Sequence, residues 1–170
     1  MNSARIAAVM LLAAICGPAA ARGQQFVEFN NIGVSLGSPV LEMMKKYPNG
    51  DYVYLGEEYI QGVVRKGAAV ITVCYKDRKA ISITMRLGAP QNYNDAGNAF
   101  KAKFGKPETF NSYSASWQLP KDRGVRIEGQ NFEGDVINGY LTISDFVRSE
   151  QAGMFKAITD NPEPKKVFEK

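Results

Sequence analysis

Histidine is absent from the 170 residues of this chain. That removes Ser-His and Cys-His nucleophiles, imidazole metal ligands and the one side chain that titrates near neutral pH unperturbed, and with them much hydrolytic and zinc chemistry. Cysteine is nearly absent too, with only Cys16 and Cys74. Long apolar runs are missing: the longest, over residues 6–15, has about half the roughly 20 residues that a membrane-spanning helix needs. Glycine and proline follow no collagen-like period, and a hydrophobic share of 45% is too high for a disordered chain. There is no Gly-x-Gly-x-x-Gly, phosphate loop, Gly-x-Ser-x-Gly elbow or Ser-x-x-Lys helix start. The segment Asn131-Phe132-Glu133-Gly134-Asp135 has oxygen ligands and a glycine but lacks the alternating acids of a calcium loop. No metal and no cofactor is assigned.

What is present at the N-terminus has the order of a secretory leader. Arg5 precedes the apolar run, Gly17-Pro18 breaks it, and Ala19-Ala20-Ala21 supplies the small residues that a signal peptidase accepts. We expect residues 1–21 to be a signal peptide, the mature chain to begin near Arg22, and the protein to be periplasmic or secreted. Cys16 raises the question of acylation, and the β-branched Ile15 before it is a poor lipoprotein context. Lys and Arg number 21 against 17 Asp and Glu; losing Arg5 leaves 20 against 17, a mature charge of +3. The lysines are scattered, as at Lys45-Lys46, Lys101 and Lys103, so neither charge nor compartment points to nucleic acid. With Cys74 alone in the mature chain no internal disulfide forms, and its place in the apolar run 68–75 makes it a buried small hydrophobe.

The rest predicts an α+β fold, an antiparallel sheet with two or three helices, as one domain over residues 22–160. Ser38 is a candidate cap and Pro39 a first-turn residue for a helix whose stripe is Val40, Leu41, Met43, Met44 and Tyr47, stopped by Pro48. Strands are expected over 51–55, 59–65, 68–75 and 80–87, the last with Ile81, Ile83, Met85 and Leu87 on one face, after a turn at Lys76-Asp77-Arg78-Lys79. A second helix from near Asn94 presents Ala96, Ala99, Phe100 and Phe104 and ends at Gly105-Lys106-Pro107. One strand over 110–119 sets Tyr113, Ala115, Trp117 and Leu119 against Ser112, Ser114, Ser116 and Gln118, and others follow over 125–128 and 136–143. Val147, Gln151, Met154, Phe155 and Ile158 predict a C-terminal helix opened near Ser144 or Asp145, before a disordered tail, 161–170. The expected core includes Leu41, Met44, Ile71 or Cys74, Ile81, Ile83, Met85, Phe100, Phe104, Trp117, Ile127, Leu141 and Ile143.

Both halves, residues 29–89 and 90–145, share a helix with an aromatic and proline stop and a hairpin turned by Lys-Asp-Arg, at 76–78 and 121–123, the second half being shorter by one hairpin arm. Tandem helix-plus-sheet units in an exported chain, with Leu36-Gly37-Ser38-Pro39 opening one helix and Phe104-Gly105-Lys106-Pro107 closing the other, resemble the β-lactamase-inhibitor-protein-like fold, shared by the small lipoprotein of the outer-membrane β-barrel assembly machine. The resemblance spans residues 29–143 and implies a binding sheet without catalysis. It carries over no functional residue.

Carboxylates suited to acid–base work, Glu57, Glu58, Asp77, Asp122, Glu133 and Asp135, all fall in expected turns, where water keeps their ionisation ordinary. The serines at 112, 114 and 116 form a strand surface with no base in sequence reach. The feature that leans towards function is tyrosine: if Val53 and Leu55 take the core, Tyr52 and Tyr54 face out, with Tyr59 close behind, and such rings are favoured at protein interfaces. Trp117, sharing a face with Ala115 and Leu119, belongs to the core. The expectation is an exported, non-catalytic binding protein of the bacterial cell envelope, an inhibitor or assembly factor, holding a protein or peptide partner through Tyr52, Tyr54 and Tyr59. The alternative is a small histidine-free hydrolase working with carboxylates.

Overall fold

The apolar alternation of residues 51–87 folds as a meander of four antiparallel strands, β1 (Asp51–Leu55), β2 (Tyr59–Lys66), β3 (Ala69–Lys76) and β4 (Lys79–Leu87). The computed structural model describes residues 32–87, 93–111, 113–129 and 141–167; the expected leader, Ser112 and the turn at 131–135 lie outside them. The β3–β4 reversal has two residues, Asp77 at φ 49° and Arg78 at φ 65°, the doubly left-handed geometry whose twist matches a tight hairpin. The turn is also braced: Asp77 N–H donates to the Glu58 carbonyl at 3.2 Å, and the Arg78 carbonyl accepts from Val40 N–H at 2.9 Å.

That last bond fixes the first helix, α1 (Val40–Lys46). Its entry is strand-like, with Pro39 bridged to Lys79, Gly37 N–H donating to the Ala80 carbonyl at 2.7 Å and Ala80 N–H to the Ser38 carbonyl at 2.9 Å. Ser38 is therefore not the side-chain cap expected of it; its hydroxyl accepts from Ser35 N–H at 3.1 Å, one turn earlier. The same docking sets the rotation of α1. Val40 and Met43 point into the sheet, Met44 and Tyr47 lie at the margin, and Leu41, expected in the core, is 58% exposed.

The second half repeats the plan. Helix α2 (Tyr93–Phe104) ends at Gly105, whose φ of +79° and N–H bond to the Lys101 carbonyl make the expected glycine stop. The single strand expected over 110–119 is instead a hairpin, β5 (Thr109–Phe110) and β6 (Ser114–Leu119). Asn111 makes the turn, its side-chain carbonyl accepting from the N–H groups of Tyr113 and Ser114 at 3.1 and 2.8 Å. Strands β7 (Arg123–Gly129) and β8 (Leu141–Val147) complete a second four-strand meander, so the second half is not short of an arm. β8 runs later than the expected 136–143, of which 136–140 lie outside the described residues.

After β8 the chain makes a short 3-10 turn (Arg148–Glu150), helix α3 (Gln151–Asp160) and a two-residue strand, β9 (Lys165–Lys166). The tail expected to be disordered thus returns to the sheet: β9 pairs with β1, and Val167 N–H donates to the Tyr52 carbonyl at 2.9 Å. The resulting nine-stranded sheet has the order β5-β6-β7-β8-β4-β3-β2-β1-β9. Its centre is the antiparallel pair β4–β8, the last strand of each half, so the halves mirror one another in plan.

One face of this sheet holds the main core. Across the strands Tyr52, Gly62, Val73, Ile83, Asp145, Val125 and Trp117 are successive partners, and α1 and α2 lie over them. Gly62 is required there, because a Cβ would sit 2.9 Å from the Tyr52 ring. The expected core members Ile71, Ile83, Met85, Phe100, Trp117, Ile127, Leu141 and Ile143 are all in this cluster, with Phe104 and Met44 packed against it. Ile81 is not: the β3–β4 register shifts between Cys74 and Tyr75, and this bulge turns Ile81 to the opposite face, where it meets Cys74 and Met154 of α3.

Both Lys-Asp-Arg turns hold the start of α3. Lys76 pairs with Glu150 at 2.8 Å, and Asp122 accepts from Ser149 N–H at 3.1 Å and from its hydroxyl, while its own carbonyl accepts from Arg148 N–H. The Ser149 donors hold the Asp122 carboxyl below its ordinary value of 3.8. A carboxylate with a depressed native pKa adds stability above its unfolded pKa that is lost as pH falls through the folded one. Ser149→Ala should therefore be less stable than the parent at neutral pH. The difference should close as pH falls below about 4, as read from urea midpoints across pH.

Candidate functional surface

The three tyrosines do not form one surface. Tyr52 is 5% exposed on the helix-covered face, where its hydroxyl donates to the carbonyls of Tyr47 at 2.9 Å and Met43 at 3.2 Å. Burial, and secondarily the charge of Tyr47, push its phenol up to about 12. Tyr54 shares that side at the rim, 38% exposed. Tyr59 is half-buried on the opposite face against the cluster of Cys74, Ile81 and Met154. The outward parity expected of Tyr52 fails because β1 buries one residue of each parity: α1 takes Tyr52, and Leu55, on the other parity, is also buried. Tyr52 is part of the core.

The open surface is elsewhere. Opposite the main core, successive partners across eight strands are Thr109, Ser116, Arg126, Ser144, Thr84, Thr72, Val63 and Asp51. A second row follows, Ser114, Glu128, Thr142, Arg86, Val70 and Arg65; a third, Gln118, Gly124, Phe146, Ser82, Cys74, Gln61 and Val53, is buried from Gly124 to Cys74. At about 4.8 Å per strand the first row spans roughly 34 Å. At its middle, where the two halves join, the Thr84 and Ser144 hydroxyls are 3.1 Å apart.

Among the described residues α3 alone packs on this face, through Met154 at the end nearest the turns. Phe146 is the large apolar residue of the rows, and it is 5% exposed, with the Arg126 guanidinium 5.7 Å from its ring centre. Cys74 lies in the floor but is no nucleophile, since burial pushes its thiol up to about 11 against a weak opposing contact from Gln61.

Serine and threonine hydroxyls donate and accept; arginine adds fixed charge. Asp77, Glu57 and Glu58 are exposed in turns, Asp122 caps the 3-10 turn, and Glu133 and Asp135 lie outside the described residues. Two surface concavities border the sheet: one of about 580 Å³ includes Lys46, Asn49, Asp51 and Arg65, and one of about 710 Å³ includes Lys101, Pro107 and Phe110. Among the described residues Asp51 is the only carboxylate lining either, so those residues bring no two acids together there. Among the described residues no three Cys, Asp or Glu side chains converge as a metal site would need, and no helix is long and apolar enough to cross a membrane. No family model, curated protein or solved structure matches the chain.

Ser114 and Ser116 were legible as an outward face, but their continuity with Ser144, Thr84 and Thr72 depends on the β4–β8 junction, which joins residues about 60 positions apart.

Proposed function

We propose that the chain is an exported, non-catalytic binding protein of the bacterial cell envelope, periplasmic or secreted, which holds a protein or peptide partner against the open sheet face. The observation that carries this reading is the asymmetry of the sheet. Among the described residues two helices and the main core occupy one face, while the other keeps rows of short hydroxylated side chains across eight strands with a helix only at one end. The resemblance to the inhibitor and assembly-lipoprotein fold supports the same role.

The test has two arms. The protein recovered from its own cells should begin near Arg22. The purified protein, immobilised, should retain a partner from envelope extract; Thr84→Arg with Ser144→Arg, which places bulk and charge at the centre of the face, should lower retention by tenfold or more, whereas Leu41→Arg on the outer side of α1 should not. Equal retention by the first variant, or equal loss in the second, overturns the assignment of the face.

A further inference from the structure

We propose that the edge of β1 is a pairing surface for a second copy of this chain, and that β9 is a strap which keeps the chain monomeric by occupying that edge. The proposal is independent of the open-face reading above.

The five residues of β1, Asp51-Tyr52-Val53-Tyr54-Leu55, pair with β2 in unbroken register. They include no lysine, proline or bulge, the devices by which natural sheets blunt an edge. Without β9 this strand would end the sheet, since the order closes with β2-β1-β9. The tail supplies what β1 lacks. Lys165 pairs with Tyr54 and Lys166 with Val53, both lysines are exposed, and the edge they leave is only two residues long. Two copies meeting at β9 would set lysine against lysine, so the strapped edge resists pairing.

The strap is lightly held. Val167 N–H donates to the Tyr52 carbonyl at 2.9 Å, and the half-buried Val167 side chain packs against the main core. Exposed Pro162, Glu163 and Pro164 separate this contact from α3, and the prolines offer no N–H to anchor the link. Opening it therefore gives up few contacts. The edge beneath is self-complementary. Because the Tyr52 carbonyl points outwards, alternation along the strand turns the backbone groups of Tyr52 and Tyr54 to the edge and those of Val53 to β2. Antiparallel pairing of two copies about Val53 sets Tyr52 of each against Tyr54 of the other, where they exchange backbone bonds, and sets Asp51, the charged residue of β1, against Leu55. No like charges meet within this register, and the tyrosine rings pair on the helix-covered side.

The experiment measures the oligomeric state of the whole chain by sedimentation velocity. The parent should be monomeric. Lys165→Pro with Val167→Pro, which removes the Val167 N–H and cannot continue a strand, should dimerise with a Kd below about 100 µM, at least tenfold tighter than the parent. Val167→Asp, which sets a charge against the core and leaves the backbone groups in place, should do the same if the proline variant loses its native Trp117 emission. A synthetic peptide of residues 161–167, in excess, should return either released variant to monomers. Val53→Lys in a released variant should abolish the dimer by placing lysines opposite one another, and Val53→Glu should abolish it too. An equimolar mixture of the two should restore it, which requires that the two copies meet at Val53. A released chain that stays folded and monomeric overturns the proposal. So does a parent that dimerises as tightly as the released variants, and so does a dimer indifferent to charge at Val53. Loss of native emission in both released variants overturns it as well, because a strap that opens is not required for the fold.

Discussion

Trp117→Ala is expected to lower stability by about 3–5 kcal/mol, among the largest losses from a single side chain in this fold. The ring is 2% exposed, with Phe100 at 5.5 Å and Phe104 at 6.5 Å between centres, so its removal opens a cavity under α2. Its Nε1–H donates to the Gly105 carbonyl at 3.0 Å, the residue that ends α2. The truncation therefore removes the packing of the second helix and a bond at its terminus together. For a chain of this size the loss corresponds to a fall of roughly 6–20 °C in melting temperature. Because Trp117 is the only tryptophan, native emission should be blue-shifted and quenched little by iodide. Emission at the wavelength of free tryptophan in water, or a loss below about 1 kcal/mol, would refute the packing described.

Trp117 also shows which parts of the fold could be read from sequence. Where a strand has one dry face its parity is unambiguous: Ala115 and Trp117, Ile83 and Met85, and Ile143 with Leu141 all lie where alternation puts them. Alternation fails where its premise fails. β1 buries Tyr52 on one side and Leu55 on the other, so Val53-x-Leu55 and Tyr52-x-Tyr54 compete for the core, and neither hydrophobicity nor spacing says that the tyrosine hydroxyl has two carbonyls waiting for it. At Ile81 a bulge changes the parity for one residue, and bulges have no periodic signature.

Other differences arise from partners distant in sequence. Ser38 has every local property of a cap, but the preceding backbone is claimed by Ala80 and Lys79, forty positions later. The ninth strand is two lysines in a polar tail, and it forms because β1 offers an unpaired edge. Asn111 was legible as a turn former only if the long alternation around it was given up, and Phe110 and Tyr113 kept that alternation apparently intact. The candidate surface follows the same rule: each hydroxyl is visible along its own strand, whereas the rows exist only across the sheet.

Asp145 is the most instructive of these residues, and it supports the second large prediction. An aspartate after Ile143-Ser144 looks like the start of a helix, yet it lies inside β8 on the core parity, next to Ile83 and Val125. It is tolerated because Arg123, on the neighbouring strand, grips both carboxylate oxygens, Nε to Oδ1 and Nη2 to Oδ2, each at 2.6 Å. The carboxylate is 8% exposed and the guanidinium 41%, so the pair is sheltered on its acidic side and reaches water on its basic side. These bonds to Asp145 raise the Arg123 pKa further above its ordinary value, so the cation persists throughout the accessible pH range. Arg123→Ala removes the partner and leaves the carboxylate in the core, at an expected cost of about 3 kcal/mol. Asp145→Ala should cost less, because the stranded guanidinium is the half of the pair that water reaches. Arg123→Met with Asp145→Leu, which replaces the pair by apolar groups of similar size, should recover most of the loss. Urea unfolding of the three variants and the parent tests the order: if Arg123→Ala and Asp145→Ala cost the same, or the apolar pair is no better than Arg123→Ala, the sheltered carboxylate does not carry the energy assigned to it here.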